Sequence, residues 1–217
     1  MKNKEIWLNL GCGVSLADNF INVDNFFTLE DLKKGKGKKG SPFVNARVTK
    51  DTKFVKGDMC DLPFEDNYAD YVESVDAIEH ISIHKTQKAF DEIYRVLRPG
   101  GKLGMSTTNF DELAKLWLLN VMNSKFETQK DFDVYMTLTK VIYGNQAGPG
   151  EYHTAPFNPA IMAFHLQRAG FKLENIIINI FPTNSPGRMP IKSYSHQGEA
   201  LKDGVTLTEM MWVEAIK

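Results

Sequence analysis

With 217 residues, 42% of them hydrophobic, the chain can bury one sizeable core and reads as a single domain with insertions. Its formal net charge of -1 excludes the global basic field that accompanies most nucleic-acid binding. Cys12 and Cys60 stand at no metal-ligand spacing and read as free thiols, and no run nears the roughly 20 apolar residues of a membrane span.

The segment Met1-Lys-Asn-Lys-Glu5 is charged, and the apolar run behind it breaks at Asn9 and then at glycine, unlike a signal peptide. A cytoplasmic location is therefore expected. Ile6-Trp-Leu-Asn-Leu10 is too short for a helix and suits a strand buried on both faces, which then breaks at Gly11 and Gly13. Backbone lacking a Cβ can come close to a ligand. Phe20-Ile-Asn-Val-Asp24 is a second strand ending in a carboxylate, the position from which one acid grips two neighbouring ribose hydroxyls in nucleotide-binding sheets. Leu16 replaces the third glycine of a dinucleotide fingerprint, so the expected ligand carries an adenosine without a pyrophosphate. Between Gly13 and Asp24 there is room for one helical turn around Ser15 to Asn19, or for none. In these residues the chain resembles the class I S-adenosylmethionine-dependent methyltransferases of the type 11 kind, whose first motif reads much like LNLGCG and whose second strand ends in an acid. So little chain precedes Ile6 that any lid is expected from elsewhere.

Phe26 to Leu32 suits a helical turn. Lys33-Lys-Gly-Lys-Gly-Lys-Lys-Gly40, with five lysines and three glycines, reads either as a solvated surface loop or as an anion-binding arm. Thr52 to Lys56 is the expected third strand. Gly57-Asp58-Met-Cys-Asp-Leu-Pro-Phe64 and the following Asp70-Tyr-Val resemble the methyltransferase pattern of G-D, an L-P-F turn and a D-x-V strand. The resemblance implies that Asp58 accepts the adenine amino group and that the Met59 backbone reads the ring edge. A buried acceptor discriminates strongly there, because a wrong base leaves a polar group unpaired.

The fourth strand, Tyr71 to Val75, runs into Asp76-Ala-Ile-Glu79-His80-Ile81. In open α/β sheets such a strand end lines the substrate site, and His80 is a candidate base near neutral pH, with a purely structural histidine as the alternative. The strand end carries neither the N/D-P-P-Y/F sequence of amino-group DNA methylases nor the P-C dipeptide of cytosine methylases. Residues 84 to 98 form a helix on the stripe Ala89, Phe90, Ile93, Val96 and Leu97, with Pro99-Gly100-Gly101 as its stop. The run Arg95 to Leu103 again resembles a methyltransferase motif, R-V-L-K-P-G-G. Lys102 to Thr107 is the fifth strand, and Thr107-Thr-Asn109 lies at its end.

Leu113, Leu116, Trp117 and Val121 suggest one amphipathic helix, and Phe132, Tyr135, Met136 and Ile142 a second that ends before Gly144. Together they are expected to form a helical lid inserted around 111–157. The turn from Gly144 to Gly150 leads into Glu151-Tyr152-His153, which could be delivered opposite His80. There His153 orients the acceptor or takes its proton; the alternative is that it packs against the helix that Asn158-Pro159 opens and Gly170 closes. Two strands, Leu173 to Phe181 and Leu207 to Ile216, end the chain.

The fold expected is α/β: a Rossmann-like, seven-stranded, mostly parallel sheet with helices on both faces and an antiparallel C-terminal edge hairpin, in one domain over 1–217. The resemblance implies that S-adenosylmethionine is bound through Asn9, Gly11, Cys12, Gly13, Asp24, Asp58, Met59, Val75 and Asp76. His80 and His153 are the candidate catalytic residues, and no divalent-metal constellation stands out. A small-molecule acceptor methylated on O or N is expected. An RNA- or protein-modifying enzyme using the lysine run and a non-catalytic S-adenosylmethionine-binding protein are the alternatives. Nucleic acid is not favoured as a partner, and no membrane partner is expected.

Overall fold

A computed structural model describes residues 5–34, 48–146, 148, 150–181 and 210–217. Strands β1 (Trp7–Leu10), β2 (Ile21–Asp24), β3 (Lys53–Lys56), β4 (Ala69–Val75), β5 (Leu97–Thr108), β6 (Ile176–Phe181) and β7 (Met210–Ile216) form one sheet in the order β3-β2-β1-β4-β5-β7-β6. The first five run parallel, and β7 pairs antiparallel with both β5 and β6. This is the Rossmann-like sheet with a C-terminal hairpin that the sequence pattern implies. The reversal of strand order beside β1 makes the carboxyl ends of β1 and β4 the natural ligand crevice.

The period-2 alternation of the strands sorts their side chains onto two faces. On one, Leu8, Leu10, Val72, Leu103, Met105 and Val213 pack against α2 (Thr86–Val96) and α5 (Pro159–Ala169), which contribute Phe90, Ile93, Val96, Met162 and Leu166. On the other, Trp7 and Tyr71 close on Phe20, with ring centroids 5.3 to 6.1 Å apart. Next to Tyr71 on this face lies Glu73, fully buried, with the Tyr71 hydroxyl as the polar group beside its carboxylate. Burial pushes its carboxyl up to about 7, with the nearby Tyr71 hydroxyl pulling the other way.

No helix forms between β1 and β2. The connection turns through Asn19 at φ 69°, and side chains replace the missing helix. Asn22 Oδ1 accepts from Asn9 Nδ2 (2.9 Å) and Ala17 N (2.8 Å), while Asn22 Nδ2 donates to the carbonyls of Ala17 and Lys53. After β2 comes α1 (Leu29–Lys33), opened by a Thr28/Asp31 capping box. Most of the lysine-rich run, from residue 35 on, lies outside the described residues, as does Leu207.

Two boundaries differ from those expected. Helix α2 ends at Val96, and Pro99-Gly100-Gly101, expected as its stop, lies inside β5. Leu97 already pairs with Ala69, and a register shift between Ala69 and Tyr71 absorbs the Pro-Gly-Gly segment, whose amides and carbonyls meet the chain end through Gly100 N to Lys217 O (2.9 Å) and Lys217 N to Gly101 O (3.0 Å). Strand β6 begins at Ile176 rather than Leu173, because Leu173–Asn175 closes into a 3-10 turn.

Between β5 and α5 stand α3 (Phe110–Trp117), a π-helical turn over Leu118–Met122, and α4 (Gln129–Tyr143). They carry a small core of their own, in which Val121, Val134 and Leu138 meet Leu116, Trp117 and Tyr135. Among the described residues no helix is long and apolar enough to cross a membrane.

The Glu73 carboxyl gives a pH test of this packing. A folded-state value near 7 against about 4.3 unfolded means that the folded chain binds the extra proton between those pH values. The wild type therefore loses stability as pH rises from about 4 to 7, and the loss is complete above 7. Glu73→Gln has no proton to lose. Denaturant melts from pH 4 to 8 are expected to shift in favour of the variant by up to roughly 3–4 kcal/mol, at about 1.4 kcal/mol per pKa unit; a pH-independent difference would rule this out.

Candidate active site

The carboxyl ends of β1, β2 and β3 are tied into one rim. Cys12 N donates to Val23 O (3.1 Å) and Gly57 N to Asp24 O (3.1 Å). Gly11, at φ 64°, backs onto the turn after β4: a Cβ there would stand 2.4 Å from Ala77 Cβ, so only glycine lets the two strand ends approach this closely. At Gly13 a Cβ would meet nothing within 4 Å, which leaves open space above the turn.

Asp24 is buried at the tip of β2. Its Oδ2 accepts from Gly13 N (2.8 Å), and its Oδ1 from Phe26 N (2.7 Å) and Phe27 N (3.0 Å). Those three amides fill most of the roughly four lone-pair sites of a carboxylate, leaving Oδ2 able to accept one more hydroxyl. The sequence-based expectation of two hydroxyls on this acid thus requires an amide to yield. Asn9, expected at the cofactor, donates its Nδ2 to Ser15 O and Asn22 Oδ1 and so holds the turn. The Cys12 thiol is pushed up by burial and by Asp24.

Asp58 follows β3, and its Oδ1 accepts from Cys60 N (2.8 Å), which stiffens the turn. Burial and then the Asp58 charge push the Cys60 thiol up to about 11. Met59 is buried with its methyl toward the Gly11 turn. The L-P-F turn behind them is clamped to α2. Arg95 donates to the carbonyls of Phe64 (2.7 Å) and Leu62 (3.0 Å), while Glu92 Oε2 accepts from Leu62 N (2.7 Å). These bonds tie the L-P-F turn to the R-V-L run in this chain. Val75 is half-buried and pairs with Ser106. Asp76 stands at φ 48°, donates its amide to Ser106 O (3.1 Å) and accepts from Ser106 Oγ (3.0 Å).

Beyond Ala77 the chain makes a 3-10 turn over Ile78–His80. The segment after α4 docks on it: Glu79 O accepts from Thr154 N (2.8 Å) and Ala155 N (3.2 Å). Gly144, at φ 79°, makes this docking possible, since a Cβ there would lie 1.9 Å from Glu151 O. His80 and His153 thereby meet, ring centroids 4.8 Å apart and nearly perpendicular. Each presents Nδ1 to a carbonyl, His80 to Tyr152 O (3.1 Å) and His153 to Val141 O (2.8 Å). A carbonyl only accepts, so both Nδ1 atoms donate, and in the neutral rings Nε2 carries the lone pair. The same segment reaches the cofactor side, because Gly150 packs against the ring of Phe26, whose amide is bonded to Asp24.

Residues 8–105 match the family described as a methyltransferase domain. The chain is 42% identical over 62 residues to sterol 24-C-methyltransferase of Schizosaccharomyces pombe, a match that covers 29% of this chain and 16% of that protein. It thus spans only a small part of the length of the first curated relatives it matches. Its fold is similar to that of an S-adenosylmethionine-dependent methyltransferase of Thermotoga maritima, described as a possible histamine N-methyltransferase, at TM-score 0.55 and 13% identity over 100% of this chain and 84% of that one. It is also similar to phosphoethanolamine N-methyltransferase 2 of Haemonchus contortus, solved with S-adenosyl-L-methionine, at TM-score 0.52 and 19% identity over 100% of this chain and 49% of that one. Residues 8–105 thus match a methyltransferase domain, and the fold is the one seen in S-adenosylmethionine-dependent methyltransferases.

Of the residues singled out in the sequence, Gly11, Gly13, Asp24, Asp58, Met59 and Asp76 come to one rim, and His80 meets His153. Asn109 instead caps α3, accepting from Asp111 N. Sequence reading passed over Glu79, which is 1% exposed, with Oε2 lacking a hydrogen-bond partner beside the equally unpartnered Thr107 Oγ1. Burial and then Asp76 push its carboxyl well above the ordinary glutamate range. An acid between the apolar Ala77, Ile78 and Ile81 was the available signal. No divalent-metal spacing stands out in the sequence, yet ligand atoms of Glu79, His80 and His153 lie within 4.8 Å of one another. His153 is far away in sequence and joins the other two only through the docking at Gly144.

Gly144→Ala tests that docking. The added Cβ forces Glu151 away and with it His153. The variant is expected to lose roughly 1–3 kcal/mol of stability, and the imidazole NMR signals of His80 and His153 to move while those of the β1–β5 core stay. Unmoved imidazole signals would mean that the glycine does not set the pair.

Proposed function

We propose that the chain transfers the methyl group of S-adenosylmethionine to an O or N nucleophile of a small molecule. The observation that carries this reading is the meeting of His80 with His153 at the end of β4, next to a glycine turn and acid that suit an adenosine. Bound S-adenosylmethionine supplies an electrophilic sulfonium methyl. In the chain's own residues, Gly13 leaves room for the ligand, Asp24 Oδ2 accepts a ribose hydroxyl, and Asp58 and the Met59 backbone recognise the adenine edge. Val75, Asp76 and Cys12 line the path between them.

The two imidazoles orient the acceptor, and the lone pair on Nε2 takes the nucleophile's proton where it has one. Alignment supplies most of the acceleration, since an aligned nucleophile needs little else to reach a sulfonium methyl. The segment 144–155, bridging Phe26 and Glu79, acts as the lid over both ligands, together with α3 and α4. The names of the relatives, a sterol and a phosphoethanolamine methyltransferase, support a small acceptor. Two buried thiols, Cys12 and Cys60, fit a reducing cytoplasm.

Calorimetry tests the donor half. Wild type is expected to bind S-adenosylmethionine, and Asp24→Ala to weaken it by roughly 1–3 kcal/mol, the cost of leaving hydrogen-bonding groups unpaired. Wild type without binding would end the proposal. A small-molecule acceptor panel with labelled donor tests the other half: His153→Ala is expected to lose transfer by roughly 100-fold or more while donor affinity and melting temperature hold. Unchanged transfer would remove His153 from the site, and transfer to RNA or protein alone would replace the acceptor class.

A further inference from the structure

The two histidines share their neighbourhood with Glu79, and nothing in methyl transfer itself calls for a buried acid there. Three features of the cluster have a common explanation. First, the ligand atoms of Glu79, His80 and His153 lie within 4.8 Å of one another. Ligands about 2.1 Å from a tetrahedral ion stand roughly 3.4 Å apart, so closing on an ion asks each atom to move by less than about 1 Å. Second, each imidazole directs Nδ1 to a backbone carbonyl, His80 to Tyr152 O and His153 to Val141 O. That is the outer hydrogen bond by which metal-bound histidines are oriented and their Nε2 lone pairs made available. Third, Glu79 is 1% exposed with Oε2 unpartnered. A buried carboxylate oxygen without a hydrogen bond favours a cation beside it.

We propose that Glu79, His80 and His153 form a binding site for a divalent transition-metal ion of the zinc or iron(II) kind. Two imidazoles and one carboxylate select such ions over magnesium or calcium, which prefer oxygen ligands throughout. Three protein ligands leave a position open. Resting on the methyltransferase reading above, that position takes an oxygen of the acceptor, so hydroxyl-bearing acceptors fit it best. With an ion bound, the histidine lone pairs go to the ion, and the pair acts on the acceptor through it.

Cobalt(II) titrated into the untagged full-length chain, with no acceptor present, is expected to give saturable visible absorption with one ion per chain, abolished by zinc. His153→Ala, and independently the shape-preserving Glu79→Gln, are expected to weaken cobalt binding by at least roughly 10–100-fold, the loss caused even by removing outer partners of metal-bound histidines. His84→Ala is expected to change nothing. No saturable binding to the wild type, or binding unchanged in Glu79→Gln and His153→Ala, overturns the site. S-adenosylmethionine affinity is measured in the same samples. Its absence with metal binding intact counts against the methyltransferase reading, and its presence without metal binding counts against the ion alone.

Discussion

Ten residues separate the end of β1 at Leu10 from the start of β2 at Ile21, and this connection must cross from one parallel strand to its neighbour. It is too short for the helix that such a crossover normally holds. The amides that a helix would have satisfied are met instead by side chains: Asn9 and Asn22 tie the turn from within the sheet, and Asp24 collects three amides at its rim. A buried polar group left unpaired costs roughly 1–3 kcal/mol, so these few side chains decide whether the turn exists at all. The open space over Gly13 is a consequence, because the same hydrogen bonds that replace a helix hold the turn in place.

Economy at that end leaves the other ligand to be covered from far along the chain. The segment after α4 touches Phe26 through Gly150 at one end and Glu79 through Thr154 and Ala155 at the other. It therefore joins the rim at β2 to the turn after β4. Its anchor is a backbone carbonyl accepting two amides, and Gly144 is the joint that makes the approach sterically possible.

Most of this architecture could be read from local pattern. Apolar runs closed by glycine gave β1, the Asn158-Pro159 and Gly170 pair bounded α5 at its observed ends, and the short span before Asp24 left room for one helical turn or none. Where the reading failed, a long-range contact had overridden a local signal. Pro99-Gly100-Gly101 looks like a helix stop and is a bulge in β5, because the chain end at Lys217 supplies the partners that the segment needs. Glu79 was overlooked because an acid beside His80 carries meaning only once His153 has been brought to it.

Two acids near the end of β4 show what such neighbours decide. Glu73 and Glu79 are both buried. Charged and alone, either would cost far more than a loop or a turn returns. Glu73 faces Tyr71 across an aromatic surface, where the cheapest state is the neutral acid, and its elevated pKa near 7 is the sign of that solution. Glu79 lies instead beside two imidazoles whose outer nitrogens are already committed to carbonyls. A positive charge held among those three groups would keep the acid ionised. The two residues differ in what the fold places within reach, so burial alone separates neither of them as structural or functional; the neighbouring histidines do.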